Sequence, residues 1–271
     1  MESGPDRVPL YHRDRHDVRP AQPQEALLGL LDPPFERLAV ERGTHFPTAQ
    51  YRDNESGYEG AYVMRPAEGM GILRNVHVAD FASLYPSIII TWNMSLETRK
   101  DMPVNGPIAP GHARSPLNGV TFEVERDGIL PEALRTMIKM RKVYNDKKSA
   151  EPPGTDAWKS YDRISTAYKV AANSFYGVLG TTNSRFYVRA IAESVTKCGR
   201  WLIESTISEA RRWKLETVYG DTDSVFVLSG LDDAAGPEAL GRAGEALADF
   251  FEWRTGAALD AWRRKIGRAH V

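Results

Sequence analysis

The sequence predicts an α+β fold, an antiparallel sheet backed by helices and joined to an antiparallel helical hairpin. Three observations carry this. The blocks LRNVHVAD, ending at Asp80, and LETVYGDTDSVFVL, around Asp221 and Asp223, are strand-like runs meeting turn residues. The segments 131–148 and 156–175 repeat apolar residues at helical spacing on either side of the breaker EPPGT. The segment 189–209 is amphipathic at the same period.

In chain order, residues 1–25 are rich in Pro, Arg, Asp and His without a sustained period, which predicts a poorly ordered arm. One helical patch, EALLGLLD, follows, then irregular chain to residue 48. YEGAYVM and LRNVHVAD read as strands separated by the turn residues of RPAEGMG. SLYPSIIITWN reads as a buried helix, with Pro86 tolerated near its start. Residues 98–120 are Pro- and Gly-rich and predict no regular element. The second arm of the hairpin places Trp158, Tyr161, Ile164, Tyr168, Ala171 and Phe175 on one face. A hairpin with the turn GDTD and a last helix over 237–253 complete the chain.

With 271 residues and 42% apolar composition, the chain can bury a sizeable core. The formal net charge of −1 gives no global sign of a polyanionic partner. Locally, Pro131 to Arg200 holds thirteen Lys/Arg against six Asp/Glu, a basic excess that would steer polyanions. The single cysteine, Cys198, falls on the apolar stripe of Val188, Ile191, Val195 and Leu202. It reads as core filler and excludes an intrachain disulfide framework. No run approaches eighteen apolar residues, and the N-terminus lacks a signal-peptide stretch, so an intracellular place without a membrane is expected.

Three blocks carry the chemistry. Asp80 ends one strand, and Asp221 and Asp223 flank Thr222 in a turn. If the strands pair, Asp80 and Asp223 meet, and their repulsion calls for a cation such as Mg²⁺, which takes few carboxylates and fills its shell with phosphate oxygens and water. Lys169, Asn173 and Tyr176 recur at i, i+4 and i+7 on one helix, and Arg141, Asn145 and Lys148 line up on the other. An Arg and a Lys facing one cleft suit a triphosphate. Tyr85 and Leu84 lie one turn beyond Asp80; a ring there would pack against a sugar and exclude a 2′-hydroxyl, or serve only the core. Gly220 gives backbone freedom before the acid pair, and Tyr219 either packs or makes contact.

Taken together, the blocks resemble the motifs of family B DNA polymerases. DFASLYPSI matches motif A, KVAANSFYG motif B, YGDTDS motif C and YEGAYV the element before motif A, while GILPEALRTMIKMR resembles the entry to the fingers. The resemblance spans roughly residues 57 to 255. It implies a palm whose antiparallel sheet is backed by helices, over 57–127 with motif A and 178–265 with motif C. It also implies a helical-hairpin fingers subdomain over 128–177, which leaves 1–56 as a lead-in, while residues 266–271 read separately as a non-native tail. Asp80 and Asp223 would be the principal ligands of two Mg²⁺ ions, with Asp221 less direct. Arg141 and Lys169 would bind the triphosphate of a dNTP, supported by Asn173. Tyr85 would be the gate against ribonucleotides, with Leu84 beside it. Tyr176, Gly177, Tyr58 and Gly60 would lie along primer-template DNA. The implied activity is DNA-directed nucleotidyl transfer to a primer 3′-hydroxyl with release of pyrophosphate, in the cytoplasm or at the nucleoid.

Departures temper this. The family carries a Lys where this chain has Asn145, with Lys148 one turn on as the substitute. Neither an exonuclease upstream nor a thumb and Lys-Lys-Tyr segment downstream is visible, and IGRAHV resembles a translated sequencing adapter, so a fragment is expected. No processivity factor is identifiable. The alternative is a non-catalytic DNA-binding relative, against which stand the intact Asp80, Asp221, Asp223 and Lys169. A different nucleotidyl transferase with a similar palm would have to explain the Kx3NSxYG block.

Overall fold

The computed structural model describes residues 36–43 and 57–249, apart from positions 68, 116, 183, 232, 233, 235 and 248. The predicted N-terminal arm, the EALLGLLD patch and the tail lie outside the described residues. Within the stretch expected to be irregular, residues 36–41 are helical. Ala39 is buried there, Arg42 engages Asp127 and Glu132, and Glu36 pairs with Arg185 at 2.8 Å. These side chains all reach distant positions, so local sequence does not announce the helix.

The main sheet is antiparallel, in spatial order β1-β6-β7-β2. Its strands are β1 (Val63–Met64), β2 (Val76–Asp80), β6 (Thr217–Asp221) and β7 (Ser224–Leu228). Of YEGAYVM only the last two residues join the ladder, opposite Asp221 and Gly220. β2 pairs with β7 from Val76↔Leu228 to Asp80↔Ser224. Partnered residues share a face. Val78 therefore lies on the exposed face with Asp80, while Val225 and Val227 turn into a small core with Ile203, Ile207 and Ala210.

After β2, helix α1 (Leu84–Thr91) enters the larger core. Pro86 sits in its first turn, where its missing N–H costs nothing. Ile88 and Ile89 are fully buried there, each such side chain contributing about 1.5–3 kcal/mol. The Pro- and Gly-rich stretch expected to lack regular elements instead builds a second sheet, ordered β3-β5-β4, from β3 (Arg99–Lys100), β4 (His112–Arg114) and β5 (Thr121–Glu123). Its strands are too short to show a period. Long-range polar bonds hold it, including the Asn93 side-chain amide donating to the carbonyls of Glu123 and Arg126.

The predicted hairpin forms as α2 (Ile129–Ser149) and α3 (Asp156–Gly180), longer than expected at both bases. Free amides at the start of α2 donate to Asn93, Glu97 and Ser95 side chains, which fastens the hairpin to the loop after α1. At its tip, Gly154 takes φ +86° and the Thr155 hydroxyl accepts from the Trp158 amide to cap α3. Helix α4 (Arg189–Arg212) backs both cores, with Cys198 fully buried on its stripe. Residues 237–247 are helical, and the remainder of the predicted last helix passes into undescribed positions. No helix among the described residues is long and apolar enough to cross a membrane.

Candidate active site

The β-ladder brings the acidic residues to one end of the main sheet. Asp80 ends β2, Asp221 ends β6, and Asp223 occupies the two-residue turn into β7. Phe81 N–H donates to the Asp223 carbonyl at 2.8 Å, extending the β2–β7 ladder past Asp80. Extended alternation does not continue through the turn, because Thr222 takes φ +53°. Thr222 N–H donates to the Tyr62 carbonyl at 2.9 Å, so the chain before β1 braces the turn from outside.

The three carboxylates are not equivalent. Burial first, and then the charges of Asp80 and Asp221, hold the Asp223 carboxyl above the usual range, with Lys169 opposing the shift. Asp221 is tied up internally: Tyr219 O–H donates to its Oδ2 at 3.2 Å and Thr222 O–H to its Oδ1 at 2.8 Å. Tyr219 thus makes contact as well as packing, its ring meeting Phe226 edge-on at 5.2 Å. Among the described residues no group of three His, Cys, Asp or Glu side chains has the arrangement of a metal centre. Asp80 and Asp223 lie close enough for the charge of one to raise the other's carboxyl, a repulsion that a hard divalent cation would relieve. That matches Mg²⁺, which commonly takes one or two carboxylates and fills its shell with water and phosphate.

Tyr85, on the first turn of α1, packs at a tilt of 55° against Tyr176 with ring centroids 4.6 Å apart, and the Tyr176 and Tyr58 hydroxyls are 2.9 Å apart. Tyr176 therefore belongs to a three-tyrosine cluster and is half-buried, whereas Lys169 and Asn173, which recur with it along the helix, are exposed. Burial, then the Asp223 charge, pushes the Tyr85 hydroxyl up to about 12; burial and the bond to Tyr58 push Tyr176 up as well. Both stay protonated near neutral pH. Leu84 is 5% exposed and packs into the core beside the site. A Cβ at Gly60 or Gly177 would meet nothing within 4 Å, so the space beside both is open.

Arg141 and Lys169 line one cleft of about 350 Å³ between the hairpin arms, together with Asn145, Lys148, Asp162 and Ser165. Asn173 is not among its walls. Asn145 accepts a hydrogen bond from Ser165 through its side-chain carbonyl. Lys148 is no free substitute cation, because its ammonium pairs with Asp162 at 3.0 Å. Sequence reasoning also missed Gly199, where a Cβ would lie 2.8 Å from the Tyr85 ring, and Gly180, where one would lie 2.5 Å from the Tyr58 hydroxyl. A lone Gly inside a helical pattern was the available signal.

Comparison with known proteins agrees with this architecture. The model of DNA polymerase family B matches residues 34–249. DNA polymerase 1 of Saccharolobus solfataricus is 40% identical over 176 residues, which is 64% of this chain and 19% of that protein. The DNA polymerase alpha catalytic subunit of Oryza sativa is 32% identical over 234 residues, 86% of this chain and 14% of the relative. The solved family B DNA polymerase of Pyrobaculum calidifontis superposes with TM-score 0.62 at 30% identity, covering 79% of this chain and 27% of that one. The chain thus spans about a fifth of the curated relatives' length. Its matched region, mixed sheet-and-helix architecture and hairpin agree on one assignment: the chain belongs to DNA polymerase family B.

Proposed function

We propose that the chain carries the nucleotidyl-transfer site of a DNA-directed DNA polymerase, acting inside the cell on primer-template DNA and dNTPs. The observation that carries the reading is electrostatic. Burial, and then the charges of Asp80 and Asp221, hold the carboxyl of Asp223 above its usual range at the end of the sheet, and Lys169 on the hairpin counters them. One site therefore combines acids suited to divalent cations with a cation suited to phosphate.

Asp80 and Asp223 would hold two Mg²⁺ ions, while Asp221, already accepting from Tyr219 and Thr222, shapes the turn. Bound Mg²⁺ supplies acidification of the primer 3′-hydroxyl and offsets charge on the triphosphate. Arg141 and Lys169 grip and orient the triphosphate, with Asn173 one turn further along α3. The reaction joins the primer 3′-oxygen to the α-phosphorus, and the bond from that phosphorus to pyrophosphate breaks. Tyr85, a neutral phenol backed by Tyr176, bounds the sugar pocket against a 2′-hydroxyl, with Leu84 fixing it from the core. Tyr58, Tyr176 and the open space at Gly60 and Gly177 suit an approaching nucleic-acid strand.

Single-nucleotide extension of a labelled primer-template with Mg²⁺ tests this. The 271-residue piece alone should bind DNA weakly and extend little. Extension by the chain joined to a thumb, lost in Asp223→Ala, is the expected result. Binding of DNA without any extension would favour the non-catalytic relative.

A further inference from the structure

Residues 57–62 make almost no ladder contacts, yet three elements grip them. Tyr58 reaches Tyr176 on α3. The Tyr62 carbonyl accepts from Thr222 in the acid turn at 2.9 Å. Between these, Arg200 on α4 pairs with Glu59 at 2.8 Å, donates to the Ala61 carbonyl at 3.4 Å, and lies 5.6 Å from the Tyr62 ring centroid. Arg189 adds a contact to the Gly57 carbonyl, also at 3.4 Å.

We propose that Arg200 is a positioning residue for nucleotidyl transfer: its guanidinium holds the 57–62 strap, and the strap holds the turn that carries Asp221 and Asp223. The inference rests on the polymerase reading for its kinetic consequence, but not for the mechanical link. Arg suits the task because one planar, permanently charged group can serve a carboxylate, a carbonyl and a ring face together. The ion pair is the smaller part. Glu59 is 65% exposed, and such pairs contribute little. The carbonyl and ring contacts, on a side chain only 23% exposed, fix the strap's path. Arg200 also acts on the Tyr85 hydroxyl, opposing its upward shift, which places its charge near the site.

Hydrogen exchange on the full chain tests the link without any need for activity. Arg200→Gln should speed exchange over 57–62 and at the Thr222 amide, leaving the amides of α2 and α3 at wild-type rates. Arg200→Lys should fall between, Glu59→Gln should stay near wild type, and Arg212→Gln, on the same helix, should change nothing at the strap. Wild-type exchange at Thr222 in Arg200→Gln, or uniform acceleration across the chain, would overturn the proposal. In primer extension, Arg200→Gln should lower kcat by roughly 10- to 100-fold with KM for the nucleotide little changed, partly restored in Arg200→Lys. A rise in KM alone, or equal loss in both variants, would refute the positioning role. Failure of the thumb-joined wild type, on which these kinetics are read, to extend primers would instead count against the polymerase reading, with the exchange data still deciding the strap.

Discussion

The amide of Phe81 donates to the carbonyl of Asp223 across 2.8 Å, so the residue after one acid is bonded to the backbone of the other. This bond and the ladder behind it decide where two carboxylates from distant parts of the chain meet. Neither acid rests on a mobile lever: Asp80 ends β2, and Asp223 sits in the two-residue turn between β6 and β7.

Removal of either acid should therefore act on chemistry more than on folding. Asp80→Ala and Asp223→Ala are each expected to lower single-nucleotide addition by roughly 10²-fold or more, with far-UV circular dichroism unchanged. Asp221→Ala should cost less if its part is to shape the turn. Near-normal incorporation by either of the first two variants would overturn their assignment.

The Asp223 carboxyl lies above its usual range because burial and the neighbouring carboxylates disfavour its charge. The native state holds that proton to higher pH than the unfolded chain does. Stability from this group therefore rises as pH falls from the folded pKa toward the unfolded one, and the ionised group opposes folding at neutral pH. Asp223→Asn should raise Tm slightly near neutral pH. Mg²⁺ should raise the Tm of the wild type and leave the variant nearly unmoved. A lower Tm for Asp223→Asn across the acid and neutral range would contradict this account.

Tyr85 lies between Tyr176 and the backbone of α4, which comes near enough that a Cβ at Gly199 would sit 2.8 Å from the ring. Gly199→Ala should force the ring aside at a cost of about 1–3 kcal/mol, read by chemical denaturation. Tyr85→Ala should reduce discrimination against ribonucleotides by about tenfold or more. Unchanged discrimination in a folded Tyr85→Ala protein would remove the gate assignment.

The Cys198 thiol is pushed up to about 12 by burial, against a smaller opposing influence of the nearby Ser115 hydroxyl. At about pH 8 its thiolate fraction is on the order of one in 10⁴. A disulfide reagent should leave the native protein untouched and titrate one thiol in concentrated guanidinium. Rapid labelling of the native state would show that α4 opens.

The elements that sequence alone made legible share a cause. β2, the Asp221–Asp223 turn and the helices of the hairpin each carry their own period or turn chemistry, so local pattern and final structure agree. The sheet over 99–123 was illegible because its strands hold two or three residues each, and its order comes from Asn93, Thr98 and Glu97 bonding across the chain. YEGAYVM looked like a strand and is mostly a strap, since what fixes Glu59 and Ala61 is an arginine some 140 positions away. In the cleft, Arg141 and Lys169 were legible as cations, but the engagement of Lys148 with Asp162 was not, because pairing partners do not follow from helical spacing alone.

The β2–β7 pairing works as a ruler with a two-residue graduation. Sliding β2 by one position would turn Asp80 toward the packed face and bring His77 and Ala79 out in place of the residues beside it. Insertions in these five-residue strands should therefore be far more damaging than insertions in the loops at their other ends, even where every acidic residue is retained.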